Sequence, residues 1–118
     1  MTARDKITMI LDALEPYDPE RIYLFGSWAR GEEDELSDVD LVLIKRTRAS
    51  FFNRIRAVQK LLPADLGAVD ALVYTPSEFD RMREQGNAFI ETLLEEGRLI
   101  YAREAKNRGR KAASSGAV

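Results

Sequence analysis

The stretch that decides the fold reads LFGSWARG at residues 24–31 and SDVDLVLI at residues 37–44, with the acidic segment EEDEL between them. An apolar strand is predicted over residues 21–25, and it ends abruptly at Gly26. A short helix can begin there, which leaves backbone N–H groups and the Ser27 hydroxyl available to hold a phosphate. The first half of the stretch therefore predicts a phosphate-binding turn.

The second apolar run is predicted as a strand over residues 38–44 that carries two aspartates. Because side chains alternate faces along a strand, Asp38 and Asp40 point to the same side, with Cα atoms about 6.5–7 Å apart. That separation suits two carboxylates that hold a pair of Mg²⁺ ions about 3.5–4 Å apart. Mg²⁺ prefers oxygen ligands and usually keeps substrate phosphates in its coordination shell. A Gly-Ser turn beside this strand therefore predicts a site for nucleoside triphosphate chemistry.

Beyond its aspartates, this strand is apolar on both faces, as expected for the centre of a sheet. Two carboxylates at the start of a buried strand are costly unless a positive charge neutralises them. A bound metal would neutralise them, which favours a metal site over two aspartates at a merely exposed strand end.

The composition excludes several kinds of chemistry. The 118 residues include no cysteine and no histidine, which rules out disulfides, the usual zinc sites and Ser-His or Cys-His nucleophiles. Any general base must therefore be a carboxylate, a lysine or a tyrosine. The net charge of −2 argues against a protein that coats nucleic acid. Neither a signal peptide nor a membrane-spanning run is recognised, so a cytoplasmic location is expected.

The two motifs together resemble a known family. Gly-Ser-x-Ala-Arg-Gly followed by Ser-Asp-x-Asp-Leu resembles the signature of the DNA polymerase beta-type nucleotidyltransferase superfamily, and the short chain resembles its minimal nucleotidyltransferase family. The resemblance is specific over residues 21–74 and less specific onward to Tyr101. It implies the nucleotidyltransferase palm as the fold, and transfer of a nucleoside monophosphate from a triphosphate to an acceptor hydroxyl with release of pyrophosphate.

The resemblance also implies roles for individual residues. Gly26 and Ser27 would hold the β- and γ-phosphates, and Asp38 and Asp40 would hold two Mg²⁺ ions. A third acidic residue, on the neighbouring strand, would bind one metal and help to deprotonate the acceptor. Asp70, in the run Val-Asp-Ala-Leu-Val, stands where this pattern expects that residue.

Two assignments have a competing interpretation. Asp65 is the other candidate for the third carboxylate, although it lies in a connection flanked by proline and glycine, outside the predicted strand. Arg30 is a candidate nucleotide-binding residue, because a guanidinium group suits phosphate geometry. Its alternative is a surface salt bridge with the acidic residues of segment 32–34.

The hydrophobic pattern predicts a single α/β domain over residues 1–102, with a small mixed sheet flanked by helices. Four helices are predicted, with N-caps at Thr2, Ser50, Thr75 and Asn87. The four predicted strands span residues 21–25, 38–44, 68–74 and 98–102, the last at an edge. Three helices have predicted apolar faces. In the first helix the face comprises Ile7, Ile10, Leu11 and Leu14. In the two later helices it comprises Phe51, Ile55, Val58 and Leu62, widened by Phe52 and Leu61, and then Phe89, Ile90, Leu93 and Leu94. Gly97 is expected to close the last helix.

Residues 103–118 form a predicted basic, disordered tail, with five basic residues against one acidic residue. A solubilising role is one interpretation, and contact with RNA or an acidic partner is the other.

The chain contains no predicted domain for binding an acceptor. Minimal nucleotidyltransferases are often paired with a small helical HEPN-type protein, which can be a ribonuclease toxin, so the resemblance implies an antitoxin that transfers AMP from ATP to a tyrosine of that partner. A second hypothesis is an antitoxin that neutralises by binding alone, with an idle active site. A third is transfer to a small molecule such as an aminoglycoside, with help from another chain. Homo-oligomerisation stays open, and nucleic acid is expected to be involved only indirectly.

Overall fold

The computed structural model describes residues 2–31 and 38–103 of the chain. Nine helices and strands follow one another along the described residues: α1 (Ala3–Leu14), β1 (Arg21–Phe25), α2 (Ser27–Arg30), β2 (Val39–Ile44), α3 (Phe51–Leu61), β3 (Val69–Tyr74), α4 (Pro76–Glu84), α5 (Ala88–Glu96) and β4 (Arg98–Ala102). Short 3-10 turns at Glu15–Tyr17 and Ala64–Leu66 complete the connections. The predicted order of helices and strands is confirmed.

The four strands form one mixed sheet in the order β3-β2-β1-β4. β1 pairs antiparallel with both β2 and β4, whereas β2 and β3 are parallel, with α3 as their crossover. The predicted mixed α/β fold is therefore confirmed, with the second strand central and the last strand at an edge. β2 and β3 each begin one residue later than predicted, at Val39 and Val69, so Asp38 directly precedes its strand.

Two apolar clusters sandwich the sheet. Val39, Leu41 and Leu43 of β2 face a core that α1 and α3 cover. The alternate residues Val42 and Ile44 face a second core, which α4 and α5 cover. Asp40 alternates along β2 with Val42 and Ile44, so its carboxylate lies on the face of the sheet that α4 and α5 cover.

The helices begin where their cap residues predict. The side chains of Thr2, Ser50, Thr75 and Asn87 each accept a hydrogen bond from the backbone N–H three residues further on. At Thr2 and Thr75 the third residue returns the bond through its own carboxylate, which makes a complete capping box. The start of each of these helices is therefore specified by contacts within three residues.

Three helical positions differ from the predicted stripes. Phe52 is 75% exposed and Leu94 is 43% exposed, because each lies at the flank of its helix's buried face. Arg54 is buried instead. Its guanidinium group pairs with Glu78 at 2.8 Å and donates to the Val73 carbonyl oxygen at 3.2 Å, so the charge is compensated where it is buried.

Gly97 ends α5, as predicted. Its backbone is extended (φ −73°, ψ 160°) rather than left-handed. A Cβ atom at this position would clash with the Leu93 carbonyl oxygen and would lie 3.3 Å from the Leu24 carbonyl oxygen. Glycine is therefore required chiefly by the close approach of the last turn of α5, and the Leu24 carbonyl of β1 leaves little further room.

The predicted tail falls almost entirely outside the described residues. Arg103 is described, and its guanidinium group makes an ion pair with Asp18 at 2.8 Å. The predicted disorder of residues 104–118 concerns residues that lie outside the described part of the chain. Across the described part of the chain, none of the helices combines the length and the apolar character needed to span a membrane.

Candidate active site

The Gly26–Ser27 turn forms as predicted at the end of β1. Gly26 has φ 74° and ψ −153°, a conformation that is essentially restricted to glycine. Its carbonyl oxygen accepts the backbone N–H groups of Ala29 and Arg30, which closes the single turn of α2. The first N–H groups of a helix have no carbonyl partner within it, so the turn presents donors suited to a phosphate.

Gly26 also lies against a carboxylate. A Cβ atom there would lie 2.6 Å from Oδ2 of Asp40, which is closer than real contacts allow. The turn and the Asp40 carboxylate are therefore in direct juxtaposition, and only a residue without a side chain permits it. This contact joins the two motifs of the sequence into one site.

A Gly26→Ala variant is expected to lose both stability and nucleotide binding. The backbone conformation costs about 1–3 kcal/mol for a residue with a side chain, and the added methyl group would displace Asp40. Thermal unfolding and ATP titration would measure the two effects. Gly31→Ala is the matched control, since it also has a positive φ of 73° but has open space around the Cβ position. Equal effects of the two variants would contradict the role given to the Asp40 contact.

The three predicted carboxylates lie at one end of the sheet. Asp40 and Asp70 are directly paired in the parallel register of β2 and β3, so their Cα atoms are about 4.8 Å apart. Asp38 lies just before β2 and is exposed, as is Asp70, whereas Asp40 is half-buried. Asp65 is exposed on the 3-10 turn before β3, outside the strand pairing.

The electrostatics of the site centre on Asp40. Burial raises the pKa of the Asp40 carboxyl group above its ordinary value, and repulsion from Asp70 and then from Asp38 raises it further. The charged form of Asp40 is therefore disfavoured in the protein alone. A cation placed beside these three groups would reverse that penalty.

The carboxylate oxygens are the kind of ligand that Mg²⁺ prefers, but they do not surround a metal position completely. Within residues 2–31 and 38–103, no three acidic side chains are gathered closely enough to enclose a metal ion. Mg²⁺ is usually bound through one or two carboxylates plus substrate phosphates, rather than by an all-protein set of ligands. The pair Asp40 and Asp70, beside a turn that suits phosphates, meets that requirement.

An aromatic pair borders the carboxylates, and it was not singled out from the sequence. Phe25 lies opposite Asp40 in the antiparallel register of β1 and β2. The Phe89 ring, in the first turn of α5, meets the Phe25 ring edge-on, with centroids 5.5 Å apart. Two phenylalanines separated by 64 positions give no local pattern that would have linked them to the site.

Arg30 ends α2 and is exposed. The acidic residues proposed as its alternative partners lie outside the described residues, so both interpretations of Arg30 stay open. Trp28, one residue after Ser27, is buried in the core under α1, where the Lys6 ammonium group lies 5.3 Å from its ring centroid.

A mixed sheet with a phosphate-type turn beside adjacent carboxylates is an arrangement that suits nucleotidyl transfer. Residues 5–106 match the family described as Polymerase beta, Nucleotidyltransferase. The chain belongs to this nucleotidyltransferase family, as its two motifs imply.

The chain is also similar to individual proteins, one in sequence and two in fold. A protein of Methanocaldococcus jannaschii with the name "Putative protein adenylyltransferase" is 32% identical over 82 residues, which cover 70% of this chain and 78% of the relative. The fold is similar to a "putative nucleotidyltransferase" of Sulfolobus solfataricus, with a TM-score of 0.57, 24% identity and 86% of each chain covered. It is also similar to a chain of a toxin–antitoxin crystallised with AMP-PNP, with a TM-score of 0.59, 21% identity, and coverage of 97% of this chain and 86% of that one.

Proposed function

We propose that this protein transfers AMP from ATP to a hydroxyl group of a partner protein, and that it acts as an antitoxin toward that partner. The observation that carries the proposal is the contact between the Gly26–Ser27 turn and Asp40, with Asp70 beside Asp40 in register. The name of the Methanocaldococcus relative supports a protein acceptor. The likeness to a toxin–antitoxin chain with AMP-PNP supports both the nucleotide and the toxin context.

The proposed reaction assigns a task to each group. The Gly26–Ser27 turn holds the β- and γ-phosphates through backbone N–H groups and the Ser27 hydroxyl, with Arg30 as a further candidate contact. Asp38, Asp40 and Asp70 would hold Mg²⁺, with two ions expected. When bound, Mg²⁺ neutralises phosphate charge and supports in-line displacement.

Asp70 is assigned the role of general base. The acceptor oxygen bonds to the α-phosphorus, the bond from that phosphorus to the departing pyrophosphate breaks, and the Asp70 carboxylate takes the proton of the acceptor hydroxyl. Its exposed position at the sheet edge leaves it accessible to an acceptor from outside. A tyrosine of a HEPN-type helical toxin is the acceptor we favour, as the family resemblance implies.

The first test concerns binding. ATP affinity, measured by titration calorimetry, is expected to fall by about tenfold or more when Mg²⁺ is replaced with EDTA, because the carboxylates then repel the triphosphate. Asp38→Ala should remove most of this metal effect while the domain stays folded. Equal ATP affinity with Mg²⁺ and with EDTA would disprove the metal assignment.

A further inference from the structure

The charges of this chain are unevenly distributed, and one stretch is strongly basic. Residues 45–60 contain six of the 18 lysines and arginines and none of the 20 acidic residues. Arg54 is buried and paired with Glu78, so its charge is neutralised within the fold. The other cations of the stretch make this part of the surface positive, although the whole chain carries a net charge of −2.

Three exposed side chains of this stretch form a row along α3. Phe52, Arg56 and Lys60 are spaced four residues apart, and residues at this spacing are neighbours on one side of a helix. Phe52 is 75% exposed, and both cations are exposed as well. Among the ion pairs between described residues, none involves Arg56 or Lys60. Both cations are therefore available to a ligand.

A groove adjoins this row and shares its two cations. It has a volume of about 550 Å³ and lies between α3 and the 3-10 turn at Glu15–Tyr17. Arg56 and Lys60 line it together with the largely apolar side chains of Tyr17 and Leu61, and no acidic side chain of the described residues contributes to the lining. The row and the groove, here together termed the basic face, combine positive charge, aromatic surface and a concave shape.

The basic face lies on the opposite side of the sheet from the Asp40 carboxylate. α3 covers the face of β2 that Val39, Leu41 and Leu43 form. Asp40 belongs to the other face, which α4 and α5 cover. A ligand on the basic face therefore leaves the proposed active site open.

The composition of the basic face decides which kind of polyanion it suits. The cores of protein–protein interfaces are depleted of charged residues, and of lysine in particular. Proteins that bind single-stranded nucleic acid instead combine a positive groove that follows the backbone with aromatic side chains on which bases stack. Arg56, Lys60 and Phe52 present this second combination, which favours a nucleic acid over an acidic protein.

We infer that the basic face binds single-stranded nucleic acid, a function that goes beyond the proposed nucleotidyl transfer and does not depend on it. Arg56 and Lys60 contact phosphates, and the exposed Phe52 ring stacks on a base. The row from Phe52 to Lys60 spans about 12 Å of helix, so the contact covers only a few nucleotides. Neither kind of contact reads the sugar, so RNA and DNA strands should bind alike.

Fluorescence anisotropy with labelled oligouridine and oligothymidine of about 12 nucleotides tests this inference, with the full chain in EDTA and without ATP. The affinity of the parent protein should fall steeply as the salt concentration rises, because phosphate contacts release counterions. Arg56→Gln/Lys60→Gln should weaken binding at low salt by about tenfold or more. It should also reduce the slope of log affinity against log salt by about 1.4, since each phosphate contact to a single strand contributes about 0.7. Phe52→Ala should weaken binding by about tenfold and leave the slope unchanged.

Arg81→Gln/Arg83→Gln is the matched control. It removes two exposed cations from α4, which covers the other face of the sheet. This variant should bind both strands as tightly as the parent protein does. All of these variants should unfold close to the melting temperature of the parent protein, because the substituted side chains are exposed.

Three results would overturn the inference. The first is a parent protein that binds neither strand. The second is equal weakening by the charge variants of α3 and α4, which would indicate attraction by total charge alone. The third is unchanged affinity in Arg56→Gln/Lys60→Gln, which would assign the binding to the basic tail. If that variant also lost a protein that co-purifies with the parent, the basic face would be a docking surface for an acidic protein instead.

Discussion

An Asp38→Ala/Asp40→Ala variant is expected to transfer nucleotide to its partner at least about 10³-fold more slowly than the parent protein. Loss of metal-assisted charge stabilisation removes several kcal/mol of transition-state stabilisation, and each 1.36 kcal/mol is worth a factor of ten in rate. The measurement is the intact mass of a helical partner protein co-expressed with the chain. The parent protein should add one or several AMP units, and the double variant should add none.

The same variant should remain folded and still co-purify with the partner. Burial and the neighbouring carboxylates raise the pKa of Asp40, so the native state holds that proton more tightly than the unfolded chain does. Ionised Asp40 therefore opposes folding at neutral pH, and the native fold gains stability as pH falls through the raised pKa. Removing the carboxylate should leave the melting temperature at pH 7 unchanged or higher.

Asp80→Ala/Glu84→Ala supplies the control, because it removes the same formal charge from exposed positions of α4. This control should retain both the AMP adduct and rescue of growth from the toxin. If the site variant rescued growth fully and the parent protein formed no adduct, the enzyme assignment would fail. The binding-only antitoxin would then be the better account.

An Asp70→Asn variant is expected to bind nucleotide nearly as well as the parent protein and to transfer it about 10²–10⁴-fold more slowly. Asparagine keeps the size of the side chain and one oxygen that can still ligate a metal ion, but it cannot take the proton of the acceptor. ATP binding by calorimetry and the single-turnover rate of adduct formation separate the two effects. A rate loss that tracked lost nucleotide affinity would argue against a role as base.

Asp65→Asn is the control for this experiment. Asp65 is exposed on the turn before β3, whereas Asp70 is paired with Asp40 across the sheet. Asp65→Asn should therefore leave transfer close to that of the parent protein. Similar rates for the two variants, or a larger loss at Asp65, would disprove the assignment of Asp70.

Much of the fold was predictable because its signals are local. The four caps act within three residues, and strand alternation placed Asp40 on the correct face of β2. Asp70 was likewise placed on its strand by alternation and by the family pattern. Its direct pairing with Asp40 needed the register between two strands, which single-strand periodicity does not contain.

The features that escaped prediction depend on distant contacts. Arg54 is a charged residue in a helix, typical of a solvent-facing position, and its burial depends on Glu78, 24 residues away. Gly97 was correctly predicted to end its helix, but its close approach to the Leu24 carbonyl oxygen of β1 depends on how α5 docks on the sheet. Phe89 was correctly expected to face inward, yet only the docking of α5 brings it to Phe25.

The position of Asp70 in β3 also disfavours a one-residue slip in the pairing register between β2 and β3. A slip of β3 by one residue would turn Asp70 into the interior under α1 and α3, where the apolar side chains Val69, Ala71 and Val73 now lie. An unpaired carboxylate there would be strongly unfavourable, so slipped alignments of the strand are disfavoured from the outset. Asp70 repels Asp40 and so opposes the native fold. The same residue also makes the slipped pairings less favourable than the native one.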